Sequence, residues 1–135
     1  MYSNISGVTT LAFTDHLPLA PAIAARVPGA ASYAMPAGEL DAYVDEVAAA
    51  AALGASLGIE VLMGIEVDAV ESGFDHAREI LAVQCFDIVL GSVHFIDDWA
   101  FDDPAHVARY DEWQARDLWE RYFDEGTMEA SEVAP

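Results

Sequence analysis

The chain has 135 residues, with 24 acidic side chains against five arginines and no lysine, for a formal charge of −19. That length supports one modest core, and a hydrophobic content of 54% argues against disorder by composition. So negative a surface lacks the cations that neutralise phosphates in nucleic-acid binding, and that class is set aside.

Other classes fall to local features. Residues 47–57 form the most apolar stretch, but they are mostly alanine and too few to cross a bilayer. Met1 to Ser6 carry no basic n-region or long apolar run, so no secretory signal is expected. Cys85 is the lone cysteine and cannot form an internal disulfide. A reducing, cytoplasmic setting is the simplest reading. The acidity itself reads as a solvated surface. A protein this negative that handles an anionic phosphate would need metal ions or focused arginines to reverse the local field.

In chain order, residues 8–13 (VTTLAF) form a β-rich apolar run. Pro18, Pro21, Pro28 and Pro36 then mark a long irregular segment. Residues 37–57 read as a helix, with Leu40, Tyr43, Val44 and Val47 at three- and four-residue spacing. Gly58 is placed to end it. Residues 59–65 predict a second strand, broken at Gly64, and residues 74–83 a short helix. Residues 86–93 (FDIVLGSV) predict a third strand, apolar enough for a buried parallel sheet. Pro104 suits a first helical turn, and residues 105–123 predict an amphipathic helix. Residues 126–135 carry no pattern. Strands alternating with helices indicate an α/β fold with parallel strands. Three such strands alone would leave both sheet edges open.

Each predicted strand runs into residues suited to holding a metal: Thr14-Asp15-His16, Ile65-Glu66-Val67-Asp68 and Gly91-Ser92-Val93-His94. In a parallel α/β fold the carboxyl ends of the strands share one face. His16, Glu66 and His94 should therefore converge, although each alone is the kind of residue found on any surface. Two imidazoles and a carboxylate suit Zn, Mn or Fe, and a carboxylate can bridge two ions. His76 and His106 read as ordinary surface histidines and Cys85 as a small core residue. Trp99, Trp113, Trp119, Phe101 and Tyr110 read mainly as packing residues, with Trp99 and Phe101 near enough to His94 to line a pocket. Neither a serine nucleophile elbow, a P-loop nor a dinucleotide-binding glycine fingerprint is present.

The ordered set Phe13-Thr14-Asp15-His16-Leu17-Pro18, Gly64-Ile65-Glu66-Val67-Asp68 and Gly91-Ser92-Val93-His94-Phe95 resembles successive motifs of histidinol-phosphatases of the PHP (polymerase and histidinol phosphatase) superfamily. Trp99-Ala100-Phe101-Asp102-Asp103-Pro104, Ala34-Met35-Pro36 and Leu40-Asp41-Ala42-Tyr43 extend the resemblance, which runs from about Gly7 to Phe123. It implies part of a distorted (β/α)7 TIM-like barrel with parallel strands. Residues 1–135 would be a single partial PHP domain, with 125–135 an irregular tail.

It further implies metal-assisted hydrolysis of L-histidinol phosphate to L-histidinol and phosphate in histidine biosynthesis, with up to three divalent ions in the complete site. By position, His16 would bind an outer metal, Glu66 would bridge two, and His94 would bind one of that pair, so Glu66 and His94 carry the catalysis. Asp15 and Asp68 would orient ligands, and Trp99, Phe101 and Asp102 would shape the imidazole end of the pocket.

The chain departs from the family pattern in lacking an early His-x-His and the late His and Asp-x-His motifs. Residues 29–34 are uncharged where relatives often carry an arginine. Weak metal binding and little activity from this chain alone are therefore expected. Two other readings stand beside the histidinol-phosphatase: another PHP phosphoesterase acting on nucleotides, and a non-catalytic remnant or interaction module of the fold. The implied partner is a small phosphate monoester, and nothing in the sequence speaks to oligomeric state.

Overall fold

The computed structural model describes residues 7–26, 29, 32–97 and 99–133. Its centre is a three-stranded parallel sheet in the order β1-β2-β3, built from Thr10–Phe13, Glu60–Asp68 and Ile88–Ser92. The register sets Phe13 beside Met63, Gly64 beside Ile88 and Asp68 beside Ser92. The helices Pro21–Arg26 (α1), Leu40–Leu57 (α2), Phe74–Val83 (α3) and Ala115–Val133 (α4) complete the α/β framework. A small antiparallel pair, Phe95–Ile96 (β4) with Trp99–Ala100 (β5), follows β3. None of the helices among the described residues is long and apolar enough to cross a membrane.

Parallel pairing follows from the long crossovers between strands, which leave no tight hairpin to bring them antiparallel. Glycine ends α2: Gly58 adopts φ 73°, and the turn is closed by Gly58 N–H to Ala55 O and Ile59 N–H to Gly54 O. Beneath α2 and α3, Leu17, Ile65, Val67 and Ala77 form one buried cluster, joined by Tyr43, Ile80 and Phe86. A second gathers Ala20, Ile23, Val70, Phe95 and Ala100. The outer strands leave Leu11, Phe13, Val89 and Leu90 exposed, as a sheet with open edges would.

Several expectations need correction. The β2 strand is not broken at Gly64 but continues to Asp68, because its pairing with β3 runs from Gly64 to Asp68, and Gly64 fits where neighbouring residues leave no space for a side chain. Inside the proline-rich segment, α1 forms, burying Ile23. The helix predicted over 105–123 holds only for residues 115–123, which lie in α4; its first part is a 3-10 run, Pro104–Glu112, capped by Asp103, whose carboxylate accepts from Ala105 N–H at 2.8 Å. It breaks at Trp113, which turns extended (φ −111°, ψ 143°) and stacks on Trp99 at 6.4 Å. Burial of the indoles overrides helical propensity here. Residues 125–133, expected to be an irregular tail, continue α4. Glu125 anchors that stretch, its buried carboxylate 2.8 Å from Arg121 one turn earlier. Cys85 is exposed rather than in the core, since it falls in the short α3–β3 connection. Trp119, at 59% exposure, is not a core residue, and it stacks on Phe123 along the α4 surface.

Tyr43 ties α2 to the sheet. Its hydroxyl lies 2.7 Å from Gly64 O and 3.0 Å from Phe13 O, where it can donate to either carbonyl. Burial raises its pKa, so the phenol stays a neutral donor. Tyr43→Phe is expected to lower unfolding free energy by about 1 kcal/mol, the net worth of a typical hydrogen bond. Urea denaturation checks this.

Candidate metal centre

Strand pairing brings the candidate residues together at the carboxyl end of the sheet. Past the end of β1 the chain keeps pairing with β2: Glu66 N–H donates to Asp15 O at 2.9 Å, and Leu17 N–H donates to Glu66 O at 2.8 Å. This isolated bridge fixes His16 beside Glu66. Ser92 closes β3 opposite Asp68, and His94 follows two residues later.

The two imidazoles stand 5.0 Å apart between centroids, at 63°. Asp68 sits between them, its side chain 1% exposed. Its Oδ1 is 2.6 Å from His94 Nδ1 and its Oδ2 is 3.2 Å from His16 Nδ1. Ser92 Oγ adds a hydrogen bond to Oδ1 at 3.2 Å. Glu66 lies on the opposite edge of the rings, its Oε1 3.8 Å from His16 Nε2 and 3.9 Å from His94 Nε2. One carboxylate therefore grips both Nδ1 atoms while the other faces both Nε2 atoms. With Nδ1–H donated to Asp68, each Nε2 presents a lone pair toward Glu66, the orientation in which imidazole binds metals.

The hydrogen bond with Asp68 raises the His94 pKa above its ordinary value; burial opposes this, and the charges of Asp68, Asp102 and Glu66 add to the rise. His16, Asp68 and His94 each offer a ligand atom within 4.8 Å of one another, a grouping that can hold one ion. Two imidazoles with carboxylates suit Zn, Mn or Fe, so the donor set fits a divalent metal.

The remaining candidates lie elsewhere. Asp15 is exposed, and its Oδ1 accepts from the His16 backbone N–H at 2.8 Å rather than touching either ring. Trp99 is 1% exposed, enclosed by Tyr110, Trp113 and Phe101 with Arg109 over its ring. Its indole packs the interior and does not line an open pocket. Phe101 is half-buried, and Asp102 is exposed and reaches His94 through its charge. His106 belongs to the 3-10 run, 3.4 Å from Asp103. His76 is not an ordinary surface histidine, because its Nε2 is buried without a protein partner. Ser92 and Tyr43 were missed as site-building residues. A tyrosine on the apolar stripe of α2 was the one available signal, since its hydroxyl must find a partner when buried.

The PHP domain family matches residues 5–134. Over 118 residues the chain is 30% identical to a "Probable histidinol-phosphatase" of Deinococcus radiodurans, an alignment covering 87% of this chain and 43% of that relative. The chain thus spans less than half the length of the curated relative it matches. With its ordered motifs brought to one end of a parallel sheet and the family match extending across nearly every residue, the chain belongs to the PHP domain family.

Proposed function

We propose that this chain is part of a cytoplasmic, metal-dependent phosphoesterase of the distorted-barrel type that hydrolyses L-histidinol phosphate to L-histidinol and phosphate in histidine biosynthesis. The observation carrying this reading is the convergence of His16, Glu66, Asp68 and His94, with both imidazoles held at Nδ1 by one buried carboxylate. His16, Glu66 and His94 would hold the metal, and Asp68 would fix the tautomer and tilt of both rings. A bound divalent ion supplies Lewis-acid charge for the phosphoryl oxygens. In a chain of charge −19, that charge is what lets an anionic ester approach. Phe101 and Asp102 would form the wall facing the alcohol portion of the substrate.

Turnover by this chain alone is expected to be small, so binding is the better test. Zn2+ titrated into the purified chain should shift the His16 and His94 ring resonances together, and His94→Ala should abolish the shift. The Zn2+-loaded chain should then bind L-histidinol phosphate more tightly than a nucleoside monophosphate, read by calorimetry. Equal binding of the two esters would reject histidinol phosphate as the substrate. Failure to take up metal would favour the non-catalytic reading.

The raised His94 pKa gives the pH dependence two opposite signs. In metal-free protein the His94–Asp68 pair stabilises the fold fully below the unfolded histidine pKa of about 6.5. That contribution disappears as pH rises through the higher folded value. Metal uptake needs the neutral ring, so it should weaken as pH falls through the same raised value. Thermal melts and Zn2+ titrations across pH 5.5–9 (about the histidine range) should therefore trend in opposite directions.

A further inference from the structure

We propose that Arg121 is a positioning residue for His94, clamping the β4–β5 hairpin to α4 so that the backbone leaving His94 keeps one direction. A single guanidinium nitrogen makes the clamp: Arg121 Nη2 lies 2.7 Å from Asp97 Oδ1 and 2.8 Å from Glu125 Oε1. Glu125 is one of two charged side chains buried among the described residues, the other being Asp68. A carboxylate taken out of water is strongly disfavoured without a charged partner, so Glu125 holds the guanidinium in place.

Asp97 is the other end of the clamp. It follows β4 directly and adopts φ 54°, the one positive φ of a non-glycine residue among the described residues. Such a backbone is uncommon for a residue with a side chain, and it persists where the surroundings hold it. The Asp97 side chain is 60% exposed, and an isolated ion pair so open to water contributes little. This pair is not isolated. Glu125 has already ordered the guanidinium, so Asp97 meets a fixed donor instead of a mobile one, the networked case in which exposed charges do restrain one another.

The hairpin carries this restraint back to His94. Phe95, Ile96, Trp99 and Ala100 are each no more than 2% exposed, and they pair as Phe95 with Ala100 and Ile96 with Trp99. So closely packed a unit shifts as one piece. Its base closes on the site, where Phe101 N–H donates to His94 O at 3.3 Å. His16 is placed by a different route, its bridge to Glu66 on β2. Releasing the clamp should therefore move one imidazole and not the other. The consequence for metal binding rests on the reading of His94 as a ligand; the movement of its ring does not.

The test uses the whole chain, metal-free, at a pH where both rings are neutral. Asp97→Asn keeps a residue type that accepts positive φ and leaves the Arg121–Glu125 pair in place. The His94 ring resonances should shift in this variant while those of His16 stay, a selectivity that general loosening of the fold would not produce. Zn2+ titration of the same variant should give a dissociation constant about two- to fivefold above wild type, below the 10–100-fold typical when a direct partner of a ligand is lost. Arg121→Gln removes the other end and should move the same resonances. The Asp97→Asn/Arg121→Gln double variant should lose no more affinity than Arg121→Gln alone, because both changes act on one contact. Rings that both stay in Asp97→Asn, or that both move, would overturn the proposal, as would single losses that multiply in the double variant. If Arg121→Gln does not fold, the Asp97→Asn resonances decide alone. If the wild type takes up no Zn2+, the metal reading fails on its own, and the resonances still decide the clamp.

Discussion

Asp68→Ala is expected to remove the candidate site's order at one stroke. The carboxylate is almost fully buried and binds His94, His16 and Ser92, so its loss frees both imidazoles and leaves the serine hydroxyl only the Val67 carbonyl, 3.3 Å away. If Asp68 acts only through the rings, Zn2+ affinity should fall between about tenfold and 100-fold. If it also contributes an oxygen to the ion, the fall should be larger, and Asp68→Asn should not recover it. An orienting role predicts partial recovery with asparagine, whose carbonyl still accepts one Nδ1–H.

The stability change carries its own signature. The hydrogen bond to protonated His94 is charge-assisted, a class worth about 1.5–3 kcal/mol, so the variant should lose more at pH 6 than at pH 9. Equal losses at both pH values, measured by urea denaturation of metal-free protein, would show that the pair is not charged as proposed.

The sequence made the strands and their endings legible for a physical reason. Short apolar runs with a His or Glu at or just beyond their carboxyl ends mark the strands, and β1, β2 and β3 carry that pattern, although the burial expected of such runs holds only for β2. The crossovers forced parallel pairing, and that pairing put His16, Glu66 and His94 at one end. Other features depended on registers that no local pattern encodes. Asp68 could be placed near the ligands but not between two rings, because its position follows from the Asp15–Glu66 bridge and the Ser92 register. The interruption at Trp113 follows from stacking on a tryptophan 14 residues earlier in the sequence, a tertiary demand that helical periodicity cannot anticipate. The α4 extension to Val133 was hidden because residues 126–135 carry no helical pattern of their own.

Gly64 and Gly126 make the contrast testable, since the same substitution should act in opposite directions at the two positions. A Cβ on Gly64 would lie 2.6 Å from Phe13 O, 2.6 Å from Ile88 Cγ2 and 2.7 Å from Thr14 Cγ2. One of these is a backbone oxygen of the adjacent strand, which can retreat only by parting β1 from β2. Gly64→Ala is therefore expected to cost at least the roughly 1–3 kcal/mol typical of overpacking. It should also disturb the site, because the Asp15–Glu66 pairing lies two residues further along both strands. A Cβ on Gly126 would instead meet Val93 Cγ2 at 3.5 Å, ordinary van der Waals contact, inside α4. Alanine there removes the entropic penalty of a helical glycine and should add about 0.5–1 kcal/mol. Paired denaturant unfolding of the two variants checks both signs. The ring resonances of His16 and His94 should shift in Gly64→Ala and stay in place in Gly126→Ala. A Gly64→Ala protein with wild-type stability and unmoved rings would mean that the strands part more easily than their register implies, and that the site does not depend on their close approach.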